Sequence, residues 1–122
     1  MVATCVGGEL HEIGARMVAD FFEMDGWDTY FLGANTPIEA VLSAVAKRKA
    51  EALAISVTMT IHLEKVSALI AEVRRAKLDA QTKIMVGGYP FHLAPNLWQV
   101  VGAAGFARDA QQALQVAEEL TR

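Results

Sequence analysis

Gly7-Gly8-Glu9-Leu10-His11-Glu12-Ile13-Gly14 decides the fold, because it joins a short apolar run at residues 2–6 to a helical pattern that begins near Ile13. An apolar run, a glycine-rich loop and a helical pattern in this order predict a strand, a loop and a helix. In open parallel α/β sheets, ligands bind outside the carboxyl ends of the strands, where the strand order reverses. The first strand usually borders that crevice, so we expect Glu9 and His11 to lie at a binding site.

Glu9 and His11 form a pair whose chemistry suits metal ligation. A carboxylate beside an imidazole can accept its N–H, fix its tautomer and leave the other nitrogen as an electron-pair donor. A lone loop histidine is usually just solvated, and it is the carboxylate two residues earlier that favours a functional role. The glycines on either side allow a sharp turn and the close approach of a bulky group.

Length and composition restrict the class of protein. The chain has 122 residues, enough for one domain with a single core, and 53% of them are hydrophobic. That apolar content, with no run near the roughly 18–20 residues of a membrane span, is typical of a parallel sheet buried on both faces. A net charge of -3 offers no basic surface for nucleic acid. The single cysteine, Cys5, and the lack of a secretory signal pattern predict a cytoplasmic protein.

Short apolar runs alternate with longer amphipathic ones along the whole chain. A helix is expected to begin at Pro37 after an N-cap at Thr36, and another to begin at Thr58 or Thr60. Strands are predicted at residues 2–6, 27–32, 82–86 and 103–107 and within 51–57, a loop at 89–95, and helices at 13–25, 37–49, 58 or 60 to 77, 96–101 and 110–120.

Five βα units with right-handed crossovers define an α/β fold. The prediction is a single domain, residues 1–122, with a three-layer, doubly wound, five-stranded parallel sheet of the flavodoxin-like (Rossmann-like) class. We assign the strand order 2-1-3-4-5 because it suits a chain of this length.

Small and polar residues follow three of the predicted strands. Ser56 and Thr58 follow the third, and Gly87, Gly88 and Tyr89 follow the fourth, in addition to the glycine-rich loop after the first. Each has an ordinary explanation as a turn residue or a helix cap. Since the carboxyl ends of parallel strands meet at one edge, three such sets at adjacent strands predict a ligand site there.

Several familiar sites of this fold are excluded by the sequence. The chain contains neither G-x-x-x-x-G-K-[ST] nor a G-x-G-x-x-G between a strand and a helix, so neither common phosphate-binding loop is present. A response-regulator receiver needs an Asp at the end of the third strand, where Ser56 stands. No Ser-His-Asp or Cys-His arrangement is visible, and one Cys with three separated His residues does not make a structural zinc site.

Three segments together resemble the motifs of cobalamin (vitamin B12)-binding domains. Residues 9–14 are similar to the family's D-x-H-x-x-G, Ser56-Val57-Thr58 to its S-x-L, and Gly87-Gly88 to its G-G. Residues 15–55 separate the first two motifs and residues 59–86 the last two, and both intervals match the family. Residues 103–110 resemble its closing strand and helix, so the resemblance covers essentially the whole chain.

The resemblance implies cobalamin bound base-off, as adenosylcobalamin, methylcobalamin or hydroxocobalamin. His11 would be the metal ligand on the lower face, Glu9 would hold its distal N–H, and the dimethylbenzimidazole tail would insert between strands one and three. Ser56 would lie at the mouth of that slot, and Gly87 and Gly88 would let the tail pass close to the backbone. The implied cofactor-binding residues are Gly8, Glu9, Leu10, His11, Glu12, Ile13, Gly14, Ser56, Val57, Thr58, Gly87, Gly88 and Tyr89.

Two departures from the family pattern indicate a branch. Glu9 stands where Asp is usual and Thr58 where Leu is frequent, and with residues 32–37 they look more like the sensory, gene-regulatory branch that includes light-sensing repressors. The family covers the upper face of cobalamin with a helical cap or a catalytic barrel, and 122 residues hold neither. We therefore expect a sensory or regulatory module of a larger protein or complex, without turnover of its own, that works with a helical cap, an effector or a regulatory partner. We expect no direct binding to nucleic acid or membrane, and an oligomer is compatible with this role.

Three alternatives remain open from the sequence. One is a haem-binding sensor of the same fold, in which His62 and His92, both near the same sheet edge, would serve the iron. Another is a corrinoid carrier domain of a methyltransferase. The third is an interaction module that has lost its ligand, against which the intact His11, Ser56 and Gly87-Gly88 set argues.

Overall fold

The computed structural model describes residues 1–6, 13–57, 62–94 and 96–121. These residues contain a five-stranded parallel sheet in the order β2-β1-β3-β4-β5, as predicted. The strands are β1 (Val2–Val6), β2 (Tyr30–Thr36), β3 (Ala52–Ser56), β4 (Lys83–Gly87) and β5 (Gly105–Phe106). The chain moves outward from β1 to β2 and then returns to place β3 on the other side of β1. The strand order therefore reverses at β1, where the fold class forms its ligand crevice.

Helices cover both faces of the sheet. They are α1 (Ile13–Met24), α2 (Ile38–Arg48), α3 (Leu63–Arg75), α4 (Tyr89–Leu93), α5 (Leu97–Val101) and α6 (Ala110–Thr121). One core lies between the sheet and α2, α3, α4 and α5 and is built mainly of Val, Leu and Ile. The other lies between the sheet and α1 and α6, and alanines are frequent in it. No helix in the described part of the chain is long and apolar enough to cross a membrane.

The start of the second strand was predicted wrongly. Residues 27–32 were expected to be extended, but Trp27 belongs to the turn that ends α1: its N–H donates to the Phe22 carbonyl at 2.9 Å, and the two rings meet edge-on at 5.1 Å. β2 instead begins at Tyr30, whose N–H donates to the Met1 carbonyl at 2.8 Å. An aromatic-rich run predicts a strand, but here the burial of one aromatic residue against the preceding helix decides its conformation.

The end of the second strand was also predicted wrongly, since it continues to Thr36 through a segment expected to be a loop. The register between β1 and β2 shifts on either side of Thr4, and Gly33, with a φ of 78°, lies in that irregular stretch. Thr36 does not cap the next helix: its hydroxyl donates to the Leu32 carbonyl at 3.0 Å. Pro37 occupies the N-cap position, and α2 begins one residue later than expected, at Ile38.

Residues 89–93 form a short helix, α4, where the sequence predicted a loop. Pro90 lies in its first turn, where a residue without an N–H is tolerated. Phe91, which is 1% exposed, anchors the helix in the core beside the ring of Phe106. The burial of this one aromatic side chain outweighs the loop-like composition around it.

The other boundaries differ from the predictions by a few residues. The strand predicted at 103–107 is reduced to Gly105–Phe106, α5 begins at Leu97, and α6 ends at Thr121. In the described residues α3 begins at Leu63, directly after His62. Thr58 and Thr60, expected to open that helix, lie outside the described residues.

Candidate functional site

A cavity of about 270 Å³ lies between the sheet and the two helices α1 and α6. Its floor is formed by β1, β3 and β4, and it reaches the carboxyl ends of β3 and β4. The lining residues in the described part of the chain are Ala3, Gly14, Ala15, Met17, Val18, Ala54, Ile55, Ser56, Met85, Val86, Gly87, Gly88, Ala107, Arg108, Asp109, Ala110 and Ala113. The cavity thus lies at the sheet edge that the sequence predicted as the binding edge.

Small side chains create this space. Alanines come from the floor at Ala3 and Ala54 and from the two covering helices at Ala15 and Ala113. A larger side chain at any of these positions would fill part of the volume. The interior presents methyl groups and thioethers, so it favours an apolar occupant over a polar one, which would leave its hydrogen-bonding groups unsatisfied there.

Polar side chains of the described lining come from the ends of elements. Ser56 ends β3, and Arg108 and Asp109 lie in the turn between β5 and α6, where both are exposed. The Asp109 carboxylate accepts the N–H of Gln112 at 2.8 Å and so caps the start of α6. The cavity therefore combines an apolar interior with a polar rim.

Gly14 and Ser56, from the first and second motifs, meet at this cavity. A Cβ atom built on Gly14 would have the Ser56 Oγ, 4.0 Å away, as its nearest contact. The two residues are far apart in sequence, and the sheet order brings them together. The prediction that these motif segments share one edge is confirmed for the residues that the structure describes.

Gly88 is required by the backbone. Its φ is +119°, and a Cβ atom there would lie 1.7 Å from the Val57 carbonyl oxygen. A Cβ on Gly87 would lie 3.1 Å from the Ala107 carbonyl oxygen, and the Gly87 carbonyl accepts the Val57 N–H at 3.1 Å. The sequence assigned these glycines to the close approach of a ligand, but the group that closely approaches Gly88 is the backbone of Val57.

The expected slot between strands one and three does not lie within their ladder. β1 and β3 are paired neighbours through four successive residues, from Val2 with Leu53 to Cys5 with Ser56. A slot beyond those pairs stays a prediction, since residues 7–12 and 58–61 lie outside the described residues. The cavity lies instead against the face of the sheet, above β1, β3 and β4 and beneath α1 and α6.

Several of the expected site residues lie outside the described residues, namely Gly8, Glu9, Leu10, His11, Glu12 and Thr58. Ile13 begins α1 and Tyr89 begins α4, next to Gly88. Val57 is fully buried in the core on the α2 and α3 face and does not line the cavity.

The histidines proposed for a haem alternative have different surroundings. His62 directly precedes α3, and His92 is exposed on α4 with its ring edge-on to Phe106 at 5.7 Å. Within residues 1–6, 13–57, 62–94 and 96–121, no group of three His, Cys, Asp or Glu side chains could hold a metal ion. His11 and Glu9 are not covered by that finding.

The sequence reasoning missed the alanines of the cavity and also Arg108 and Asp109. The two polar residues could have been found by the rule that located Ser56, because they follow the fifth strand at the same edge. The alanines carry no such signal, since alanine is an ordinary helix residue.

The fold and the cavity define a class: a doubly wound parallel sheet with an apolar cavity at the carboxyl edge, where the strand order reverses and proteins of this class bind ligands. A family model described as B12 binding domain matches residues 1–116. The chain belongs to the B12-binding domain family.

Named relatives agree with this assignment. The chain is 29% identical over 116 residues to dimethylamine corrinoid protein 3 of Methanosarcina acetivorans. The aligned segment covers 94% of this chain and 53% of the relative. The chain thus spans about half the length of the curated relatives that it matches. These relatives are named corrinoid proteins, so the inferred nearness to the light-sensing branch is not supported.

Solved structures show the same fold. The monomethylamine corrinoid protein of Methanosarcina barkeri superposes with a TM-score of 0.89 at 28% identity, covering 98% of this chain and 56% of that one. A cobalamin-binding protein from Desulfitobacterium hafniense has a TM-score of 0.90 at 24% identity, covering 99% and 58%, and supports the fold. These similarities support a corrinoid and give no support to haem.

Proposed function

We propose that this chain is the corrinoid-binding domain of a carrier protein that works with a methyltransferase. The observation that carries the proposal is the apolar cavity at the binding edge, whose lining includes Gly14, Ser56, Gly87 and Gly88 from all three motifs. The methylamine corrinoid proteins among its relatives favour a carrier over the sensory module that the sequence suggested.

The cavity fits the nucleotide tail of a corrinoid. Pockets for drug-sized ligands are roughly 300–1,000 Å³, and a space of about 270 Å³ suits a bicyclic aromatic base rather than the corrin ring. Aromatic groups of that size bury roughly 150–250 Å². At about 25 cal/mol per Å², burial of the base contributes roughly 4–6 kcal/mol, which makes the tail a major source of affinity.

The residues of the chain divide the binding between them in this proposal. His11 would ligate the cobalt from below, and Glu9 would hold the distal N–H of its imidazole and so fix the tautomer. The cavity would take the tail base and exclude water from it, with Ser56 offering a hydroxyl at the rim. A bound corrinoid supplies a cobalt centre that accepts and releases a methyl group.

Methyl transfer requires groups on the upper face, which partner proteins or further domains would supply. Among its named relatives the chain corresponds to about half of a corrinoid protein. We therefore propose that this chain binds the cofactor and that a partner methyltransferase carries out turnover.

Replacement of His11 tests the proposal. The purified domain titrated with hydroxocobalamin should give an absorption spectrum of the base-off form with imidazole on cobalt. His11→Ala should lose the imidazole-dependent bands and bind more weakly, and His92→Ala, an exposed histidine on α4, is the matched control. An unchanged spectrum and affinity in His11→Ala would contradict the axial assignment, and a wild-type domain that binds no cobalamin would contradict the function.

A further inference from the structure

Arg108 is the cationic side chain of the cavity lining in the described part of the chain. It lies between β5 and α6 at the carboxyl edge of the sheet, and its side chain is exposed. The apolar interior accounts for the base of a nucleotide tail, but it leaves the charged part of that tail without a partner. Arg108 is placed to supply one.

The backbone around Arg108 is fixed. Its N–H donates to the Gln112 side-chain oxygen at 2.6 Å, and the Gln112 N–H donates to the Asp109 carboxylate at 2.8 Å. These two bonds tie the turn to the first residues of α6. The Asp109 carboxylate caps α6, and among the described residues it forms no ion pair with the Arg108 guanidinium.

The other arginines in the described residues are engaged by protein groups. Arg16 lies over the ring of Phe31 at 4.6 Å, and Arg48 lies over the ring of Tyr30 at 3.7 Å.

Two more lie on α3 and are also occupied. Arg74 donates to the Gly102 carbonyl at 2.6 Å, and Arg75 pairs with Glu72 at 3.4 Å. Arg108 makes no side-chain hydrogen bond or ion pair with the residues that the structure describes, and it alone among these five arginines lines the cavity.

We propose that Arg108 binds the phosphodiester of the corrinoid's nucleotide tail and so selects corrinoids that carry a complete tail. This inference rests on the proposed function. With the base inside the cavity, the ribose and phosphate must cross the rim, where the guanidinium can donate two parallel hydrogen bonds to the phosphate oxygens. The corrin amides are a second possible partner, and a tail-less corrinoid separates the two.

The test compares cobalamin with cobinamide, which keeps the corrin amides but lacks the phosphodiester and the base. Arg108→Gln should weaken cobalamin binding roughly tenfold, because one charge-assisted contact at an exposed position is lost. It should leave cobinamide binding unchanged. Raising the ionic strength should weaken cobalamin binding to the wild type more than to Arg108→Gln. Arg75→Gln, at an exposed site on α3, is the matched control and should behave as the wild type.

The outcomes separate this inference from the function on which it rests. If the wild type prefers cobalamin to cobinamide and Arg108→Gln keeps the same affinities, the assignment of Arg108 is wrong and the carrier proposal stands. Equal losses for both ligands would move the contact to the corrin amides and overturn the phosphate assignment. A wild type without any preference for cobalamin would overturn both proposals.

Discussion

Gly88 shows how a motif residue can be required by the fold rather than by the ligand. Its φ of +119° and the position of the Val57 carbonyl oxygen, 1.7 Å from an added Cβ, exclude a side chain before any ligand is considered. The glycine lets the chain turn from β4 into α4 against the end of β3. It therefore shapes the cavity rim through the backbone.

Substitution of Gly88 is expected to destabilise the fold. Gly88→Ala combines a backbone conformation that only glycine adopts readily, costing about 1–3 kcal/mol, with an overlap against the Val57 backbone that adds at least about 3 kcal/mol. Gly26→Ala is the matched control, because Gly26 has a φ of +96° but no atom within 4 Å of an added Cβ. Urea unfolding of both variants should show the larger loss for Gly88→Ala, and equal losses would contradict the steric account.

Ser56 and Arg108 show which single residues of the candidate site could be identified from the sequence. Ser56 was identified because a polar residue at the end of a buried strand faces the common edge of the sheet. Arg108 obeys the same rule, because it directly follows the strand predicted at 103–107 and lies close after the observed Gly105–Phe106, but the rule was applied only to the first, third and fourth strands. His11 and Glu9 remain predictions, since they lie outside the described residues.

At the scale of elements, α1 and α6 form the cavity by carrying small residues toward the sheet. Ala15 faces the space from α1, and Ala110 and Ala113 face it from α6. An amphipathic pattern predicts which face of a helix is buried, but it does not predict how much volume that face leaves empty. For this reason both helices were predicted from the sequence and the cavity between them was not.

Filling this cavity should separate binding from stability. Ala113→Leu extends into the empty space, so we expect stability within about 1 kcal/mol of the wild type. It also occupies the volume that the tail base would fill. We expect cobalamin affinity to fall roughly a hundredfold, because the base would lose a large part of its apolar burial. Titration with cobalamin and urea unfolding measure the two effects.

Ala117→Leu is the matched control for this change. Ala117 lies one turn further along α6, is fully buried and does not line the cavity. Overpacking there should cost about 1–3 kcal/mol of stability and leave cobalamin affinity nearly unchanged. If the Ala113→Leu variant binds cobalamin as tightly as the wild type does, the placement of the tail in this cavity is wrong.

At the scale of elements the sequence also misplaced β2 and missed α4. Both errors have one physical origin: an aromatic side chain, the half-buried Trp27 or the buried Phe91, packs in a way that local composition does not indicate. Tertiary packing overrides local propensity in such places.

At the scale of the whole molecule, the two faces of the sheet differ in the side chains that cover them. The face beneath α2 and α3 is packed mainly with branched aliphatic side chains and also holds a second cavity of about 270 Å³, beside Val6, Thr36 and Leu69. The face beneath α1 and α6 is richer in alanine, and its cavity opens at the carboxyl ends of β3 and β4. The strand order was predictable from the alternation of strands and helices, whereas this asymmetry depends on side-chain volumes across distant elements.

The affinity of the wild-type domain for cobalamin relative to cobinamide tests the central claim most directly. If the cavity holds the tail base, cobalamin should bind at least roughly a hundredfold more tightly, because burial of an aromatic base contributes several kcal/mol that cobinamide cannot gain. Equal affinities for the two corrinoids in parallel titrations would contradict the claim that this cavity is the tail site.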